Sequence, residues 1–299
     1  MKILLFGRNG QVGWELQRSL APLGELVALE SHSTELCGDL ANLAGISQTI
    51  RKCAPDVIVN AAAYTAVDKA ESEPDQVRTI NALAPGVLAQ EAKHANAWLV
   101  HYSTDYVFDG SGDKPWLETD ATAPLNVYGA TKLESELAIR ETGCKHLIFR
   151  TSWVYGTRGG NFAKTMLRLA QERDSLKVIN DQIGAPTGAE LLADVTAHAI
   201  RAARQQTDVS GIYHLVASGE ISWHGYASFV LDFARQSGMQ LKVAPDAIQP
   251  VPTSAFPTPA RRPHNSRMAT AKLQQTFGLH LPHWQTGLAR MLKELLERA

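Results

Sequence analysis

Cysteine is scarce in this chain of 299 residues, and the three present, Cys37, Cys53 and Cys144, lie far apart. An odd, scattered set without metal-ligand spacing excludes a disulfide framework and points to reduced thiols in a cytoplasmic protein. A charge excess is also lacking. Lys and Arg total 29 against 30 Asp and Glu, a net charge of -1, so no field draws in nucleic acid or a membrane surface. No apolar run is long enough to span a bilayer. The apolar start, Ile3-Leu4-Leu5-Phe6, is too short for a signal segment and runs into a glycine loop. Internal repeats and low-complexity tracts are absent. The rest is ordinary for a globular protein, 44% hydrophobic and 20% charged, with length for one or two domains.

The order of apolar runs and glycines predicts an α/β fold. Lys2 to Phe6 reads as a buried strand. Gly7-Arg8-Asn9-Gly10-Gln11-Val12-Gly13 follows, then an amphipathic segment from Trp14 to Leu20. Strand, glycine loop and helix together make a dinucleotide site, because glycine lets the backbone approach a pyrophosphate at a helix N-terminus. The alternative is a structural turn. Further strands are expected at Glu25 to Glu30, Asp56 to Asn60, Trp98 to Tyr102 and His146 to Arg150, with a helix at Asn81 to Ala92. Strands alternating with helices give a doubly wound parallel sheet of Rossmann type. Residues 1–150 are expected to form the NAD(P)-binding domain, with some later segments returning to it. Residues 151–299, irregular and richer in aromatics, are expected mainly to form a smaller substrate domain. A final helix is expected from Trp284 to Arg298.

Glu30, at the end of the second strand, stands where a carboxylate meets adenosine ribose hydroxyls and leans towards NADH. Arg8 in the glycine loop suits a 2′-phosphate instead, so the preference stays open. Asp39 suits an adenine amino group or, equally, an N-cap ahead of Leu43. Small residues Ala61, Ala62 and Ala63 after a strand leave room for a ligand or for close helix packing.

Tyr128 and Lys132 lie four residues apart, one turn apart on one helical face. Their helix is expected to run to about Glu141. An ammonium beside a phenol is expected to lower the tyrosine pKa from about 10. Thr104, delivered to the carboxyl end of a strand, supplies a third hydroxyl where open α/β sheets bind ligands.

These features resemble the extended short-chain dehydrogenase/reductases. Ser103-Thr104-Asp105-Tyr106-Val107-Phe108-Asp109-Gly110, Asn126-Val127-Tyr128-Gly129 and Arg150-Thr151-Ser152-Trp153-Val154-Tyr155-Gly156 are similar, more narrowly, to the dTDP-4-dehydrorhamnose reductase family. So are Asp181-Gln182-Ile183-Gly184-Ala185-Pro186-Thr187, Gly211-Ile212-Tyr213-His214 and Pro259-Ala260-Arg261-Arg262-Pro263. The resemblance covers nearly the whole chain.

It implies reduction of the 4-keto group of a dTDP-linked sugar, with NADPH or NADH as cofactor, by a homodimer. A structural Mg2+ is also implied for the family, although no carboxylate cluster in the sequence names its ligands. Tyr128 would donate the proton, Lys132 would hold the nicotinamide ribose, and Thr104 would orient the substrate oxygen. The cofactor would lie across Gly7, Gly10, Gln11, Val12 and Gly13. Glu30, Asp39 and Leu40 would surround the adenosine, and Ala62, Ala63, Tyr64 and Thr65 the pyrophosphate. Tyr102 would touch the nicotinamide side. Thr104, Asp105, Tyr128 and Trp153 would meet the substrate, with Trp153 otherwise an ordinary core residue. Arg261 and Arg262 are candidates for the diphosphate, or else a solvated pair on a rigid proline-rich loop. A sugar-nucleotide dehydratase is disfavoured because Tyr106, and not a glutamate, follows Thr104-Asp105. An epimerase and a binding protein without catalysis are the other rivals.

Overall fold

The computed structural model describes residues 1–297. The first half builds β1 (Lys2–Phe6), α1 (Gln11–Leu20), β2 (Glu25–Leu29), α2 (Leu43–Cys53) and β3 (Val57–Asn60). Then come α3 (Ala84–His94), β4 (Trp98–Thr104), α4 (Val127–Thr142) and β5 (Lys145–Thr151). Two later elements, α5 (Ala189–Ala203) and β6 (Gly211–His214), return to the same sheet. The sheet order is β6-β5-β4-β3-β1-β2, with every neighbouring pair parallel.

The apolar runs explain why the sheet forms. Successive side chains point to opposite faces, and both faces are buried, which suits near-continuous aliphatic strands. Ile3 and Leu5 face one core with Leu16 and Leu20 of α1 and Leu192 and Ala199 of α5. Leu4 and Phe6 face the other with Ile46 and Ile50 of α2, Leu88 of α3 and Ile139 of α4. Each fully buried aliphatic side chain contributes about 1.5–3 kcal/mol.

The helix expected at Asn81 to Ala92 differs in its start. A π turn at Thr79–Leu83 precedes α3. Pro85 has no N–H to give the Asn81 carbonyl, and the Ala84 N–H instead reaches back to Thr79. The strand expected to reach Glu30 ends at Leu29.

Away from the sheet, a second core gathers Tyr155, Leu167, Val178, Tyr226, Val230, Trp284 and Leu288. Its helices are Phe162–Glu172, Trp223–Gln236 and Trp284–Glu297. Arg298, expected at the end of the last helix, lies outside the described residues. Among the described residues no helix is long and apolar enough to cross a membrane.

Candidate active site

The strand order reverses between β1 and β3, the point where open α/β sheets bind ligands outside their carboxyl ends. A cleft of about 620 Å³ opens there. Gly7, with φ +88, turns the chain out of β1; a Cβ on it would come within 2.7 Å of the Ala62 nitrogen. Gly13 lies underneath, where a Cβ would stand 2.0 Å from the Gly7 carbonyl oxygen, so α1 packs tightly on the loop. Gly10 caps α1 without a side-chain hydrogen bond, which leaves the first helical N–H groups for an anion. This cradle fits a pyrophosphate.

Of the residues expected at the cofactor, Gly7, Gly10, Gln11, Val12, Glu30, Asp39, Leu40, Ala62, Ala63, Thr65, Tyr102, Tyr128 and Lys132 line this one cleft. Gly13 and Tyr64 do not. The Tyr64 backbone is clamped by Asn81, whose Oδ1 accepts its N–H at 2.8 Å and whose Nδ2 donates to its carbonyl at 3.0 Å, while its hydroxyl donates to Glu73 at 2.7 Å. Tyr102 lines the cleft, with its hydroxyl bonded to Thr196 of α5 at 2.6 Å. Asp39 does not cap α2: its Oδ1 accepts from the Ala41 N–H, and Asn42 is the cap, accepting from Gly45. Glu30 and Arg8, read as competing signals, form an ion pair at 2.6 Å, and the Asn9 amide also donates to Glu30.

The helix carrying Tyr128 starts cleanly because Asn126 accepts the Gly129 N–H at 2.8 Å. Its amide also donates to the Arg261 carbonyl at 2.7 Å, tying the proline-rich segment to the site. Burial pushes the Tyr128 phenol up to about 12, the Asp105 charge adds to that, and the Thr104 hydroxyl acts the other way. This corrects the expectation that Lys132 would lower it. Lys132 is itself 2% exposed, its Nζ lies 3.0 Å from His101 Nε2, and burial brings its pKa down to about 7 although Glu136 opposes this. Near neutral pH the amine carries only a fraction of a charge, so burial outweighs it at the phenol.

Thr104 and Asp105 are both buried, and the Thr104 hydroxyl donates to Asp105 Oδ1 at 3.1 Å. Asp105 Oδ2 has no partner, and burial raises this carboxyl to about 6. Tyr106 meets Tyr128 edge to face at 5.7 Å. Trp153 stands apart from the cofactor cleft. It adopts φ +50 just past β5 and stacks on Trp223, ring centres 3.6 Å apart. Arg262 bonds Asp68 at 2.7 Å and keeps a buried Nη1 without a partner, whereas the Arg261 side chain is exposed.

Residue-by-residue reading missed part of this cleft: Ser31, Ile80, Val154, Gly159 and Gly160 also line it. It also missed His101 below Lys132. A histidine inside the apolar strand Trp98-Leu-Val-His-Tyr102 was the available signal. Among the described residues no group of three His, Cys, Asp or Glu side chains could hold a metal ion. The described residues therefore give no support to the Mg2+ that the resemblance implies.

A parallel sheet with a glycine loop at its switch point and a Tyr–Lys pair on α4 is the arrangement of the short-chain dehydrogenase/reductase class. The family model described as RmlD substrate binding domain matches residues 1–297. A dTDP-4-dehydrorhamnose reductase of Shigella flexneri is 63% identical over 295 residues, covering 99% of this chain and 98% of that protein. Two solved structures also align closely. A dTDP-4-dehydrorhamnose reductase from Clostridium acetobutylicum has TM-score 0.90 and 35% identity, covering 99% of each chain. One from Bacillus anthracis, in complex with NADP, has TM-score 0.88 and 35% identity over 98% of this chain and 99% of that one. The chain belongs to the dTDP-4-dehydrorhamnose reductase family, oxidoreductases of dTDP-rhamnose biosynthesis.

Proposed function

We propose that this chain reduces the 4-keto group of dTDP-4-dehydro-β-L-rhamnose to the alcohol of dTDP-β-L-rhamnose, with NADPH or NADH as reductant. The carrying observation is a half-buried Tyr128, kept protonated beside Thr104, on the wall of a dinucleotide-sized cleft. The nicotinamide, when bound, supplies the hydride. Thr104 orients the substrate oxygen, and Tyr128 donates a proton to it as negative charge develops. A phenol near 12 is a donor throughout the neutral range, as reduction requires. Lys132 holds the nicotinamide ribose hydroxyls. Glu30, already bonded to Arg8 and Asn9, shares the adenosine ribose with a cation, which supports use of either cofactor. Arg262, with its free Nη1, is the better arginine for the substrate diphosphate.

The unit around the second core supplies the sugar-nucleotide side, Trp153 included, and the protein works in the cytoplasm as a homodimer. A dehydratase would need an acid beside Asp105, where Tyr106 stands. The test is NADPH or NADH oxidation with freshly made dTDP-4-dehydrorhamnose. One reduced cofactor consumed per sugar is expected. No net consumption, with cofactor still bound, would favour an epimerase or a binding protein. Sedimentation checks the dimer; a monomer at working concentration would remove it.

A further inference from the structure

Three buried side chains beneath the cleft have no part in the chemistry above: Asn60 of β3, His101 of β4 and Ser135 of α4, all 1% exposed or less. They form one hydrogen-bonded chain ending at Lys132. Its polarity can be read from the far end. Asn60 Oδ1 accepts the Ala62 N–H at 3.2 Å, which fixes the amide and turns its Nδ2 donor to His101 Nδ1 at 3.1 Å. His101 Nδ1 is therefore the accepting nitrogen, and the ring hydrogen sits on Nε2. Nε2 lies 3.1 Å from Ser135 Oγ and 3.0 Å from Lys132 Nζ, while Ser135 donates to the Lys132 carbonyl at 2.5 Å. With its hydrogen in place Nε2 offers no lone pair to an ammonium; it is a donor facing an amine.

We propose that His101 is a positioning residue for Lys132: through the tautomer that Asn60 imposes, it holds the lysine in the cleft and disfavours its ammonium form. The depressed pKa of Lys132 agrees with this, and that of His101 is lower still because the ring is buried and faces Lys132. Other charged or titratable groups surround the pair. Glu136, one turn along α4, favours the ammonium but is bonded to Arg150 of β5 and Ser103 of β4. Tyr128 remains a neutral phenol, and Asp105, on the turn after β4, acts on Tyr128. His101 is thus the neutral group in direct contact with the amine.

The inference rests on the reading of Lys132 as the ribose-holding residue. If ammonium is the working form, kcat/KM falls as pH rises through the Lys132 pKa. Two substitutions should both move that falling limb to higher pH. Asn60→Asp presents an acceptor to His101, moves the ring hydrogen to Nδ1 and frees Nε2 to accept from the ammonium, so the limb should shift upwards by about one pH unit. His101→Leu removes the donor that favours the free amine, so the limb should shift upwards as well, by less than in Asn60→Asp because no acceptor takes its place. The cofactor dissociation constant, followed by fluorescence across the same pH range, should move with it. Unmoved limbs, or a downward shift in either variant, would overturn the positioning role. If His101→Leu does not fold, the near-isosteric Asn60→Asp decides alone: an unmoved limb overturns the proposal. A wild-type enzyme with no turnover on the keto sugar would instead overturn the reductase reading.

Discussion

Lys132 and Glu136 stand one turn apart on the same helix, at 2% and 1% exposure, and the fold treats them in opposite ways. Glu136 accepts two hydrogen bonds from the Arg150 guanidinium, at 2.9 and 2.6 Å, and a third from Ser103 at 2.5 Å. Lys132 meets a neutral imidazole. Burial costs both charges several kcal/mol of hydration. Only the carboxylate has an opposite charge in bidentate contact to offset that. The difference separates a charge that ties β4, β5 and α4 together from an amine left able to titrate near neutral pH. Neighbouring positions on one helix thus divide structure from chemistry by the partner each is given.

The largest effect should come one turn above Lys132. Tyr128→Phe removes the proton and little volume, so turnover should fall by about 10²- to 10⁴-fold while cofactor titration stays near wild type. Near-normal turnover would mean that the chemical face of the comparison has been assigned to the wrong residue.

The structural face should break with Glu136→Gln, which leaves the Arg150 guanidinium buried against a neutral amide. Urea unfolding should show a loss of about 3–5 kcal/mol. Replacing both partners, Glu136→Leu with Arg150→Met, should recover most of it, since an apolar pair of similar volume carries no desolvation cost. If the double variant were as unstable as the single one, the pair would be holding more than its own charges.

Lys132→Met should separate the two roles most sharply. The near-isosteric side chain removes an amine that has no counter-charge in contact, so stability near pH 7 should hold or rise, while cofactor affinity and kcat/KM fall. The smallest effect is on the pH dependence of stability. Burial brings Lys132 down to about 7 in the folded chain from the ordinary lysine value of 10.5, so over that window the unfolded state binds more protons. Its contribution makes stability climb as pH rises from about 7 towards 10.5, and below about 7 the full cost of the buried charge is present. The methionine variant should lose that rise, visible as urea midpoints of the two proteins that draw together as pH climbs from about 7 towards 10.5. A variant with the wild-type slope would show that the titrating group lies elsewhere.

The parts of the site legible in the sequence are those set by local rules. Gly7, Gly10 and Gly13 mark a loop between strand and helix because their spacing is a backbone requirement. Tyr128 and Lys132 share a face because a helix repeats every 3.6 residues. The apolar runs name five of the six sheet strands to within about two residues, and β6 was not among those expected. The missed features depend on what packs against what. Asn42, not Asp39, caps α2, a choice between neighbouring acceptors that local spacing leaves open. The start of α3 became a π turn where Pro85 withholds an N–H and Asn81 clamps Tyr64 from across the chain. Arg8 and Glu30 read as rivals until the fold joined them.

By itself, then, the sequence determined a parallel α/β sheet, a dinucleotide loop at its switch point and a tyrosine–lysine pair beside it, because periodicity and glycine spacing act over a few residues. The tertiary structure alone decided that the lysine faces a histidine from β4 and that the phenol is driven up. Protonation depends on burial and on charges brought together from distant segments, and no local pattern records either.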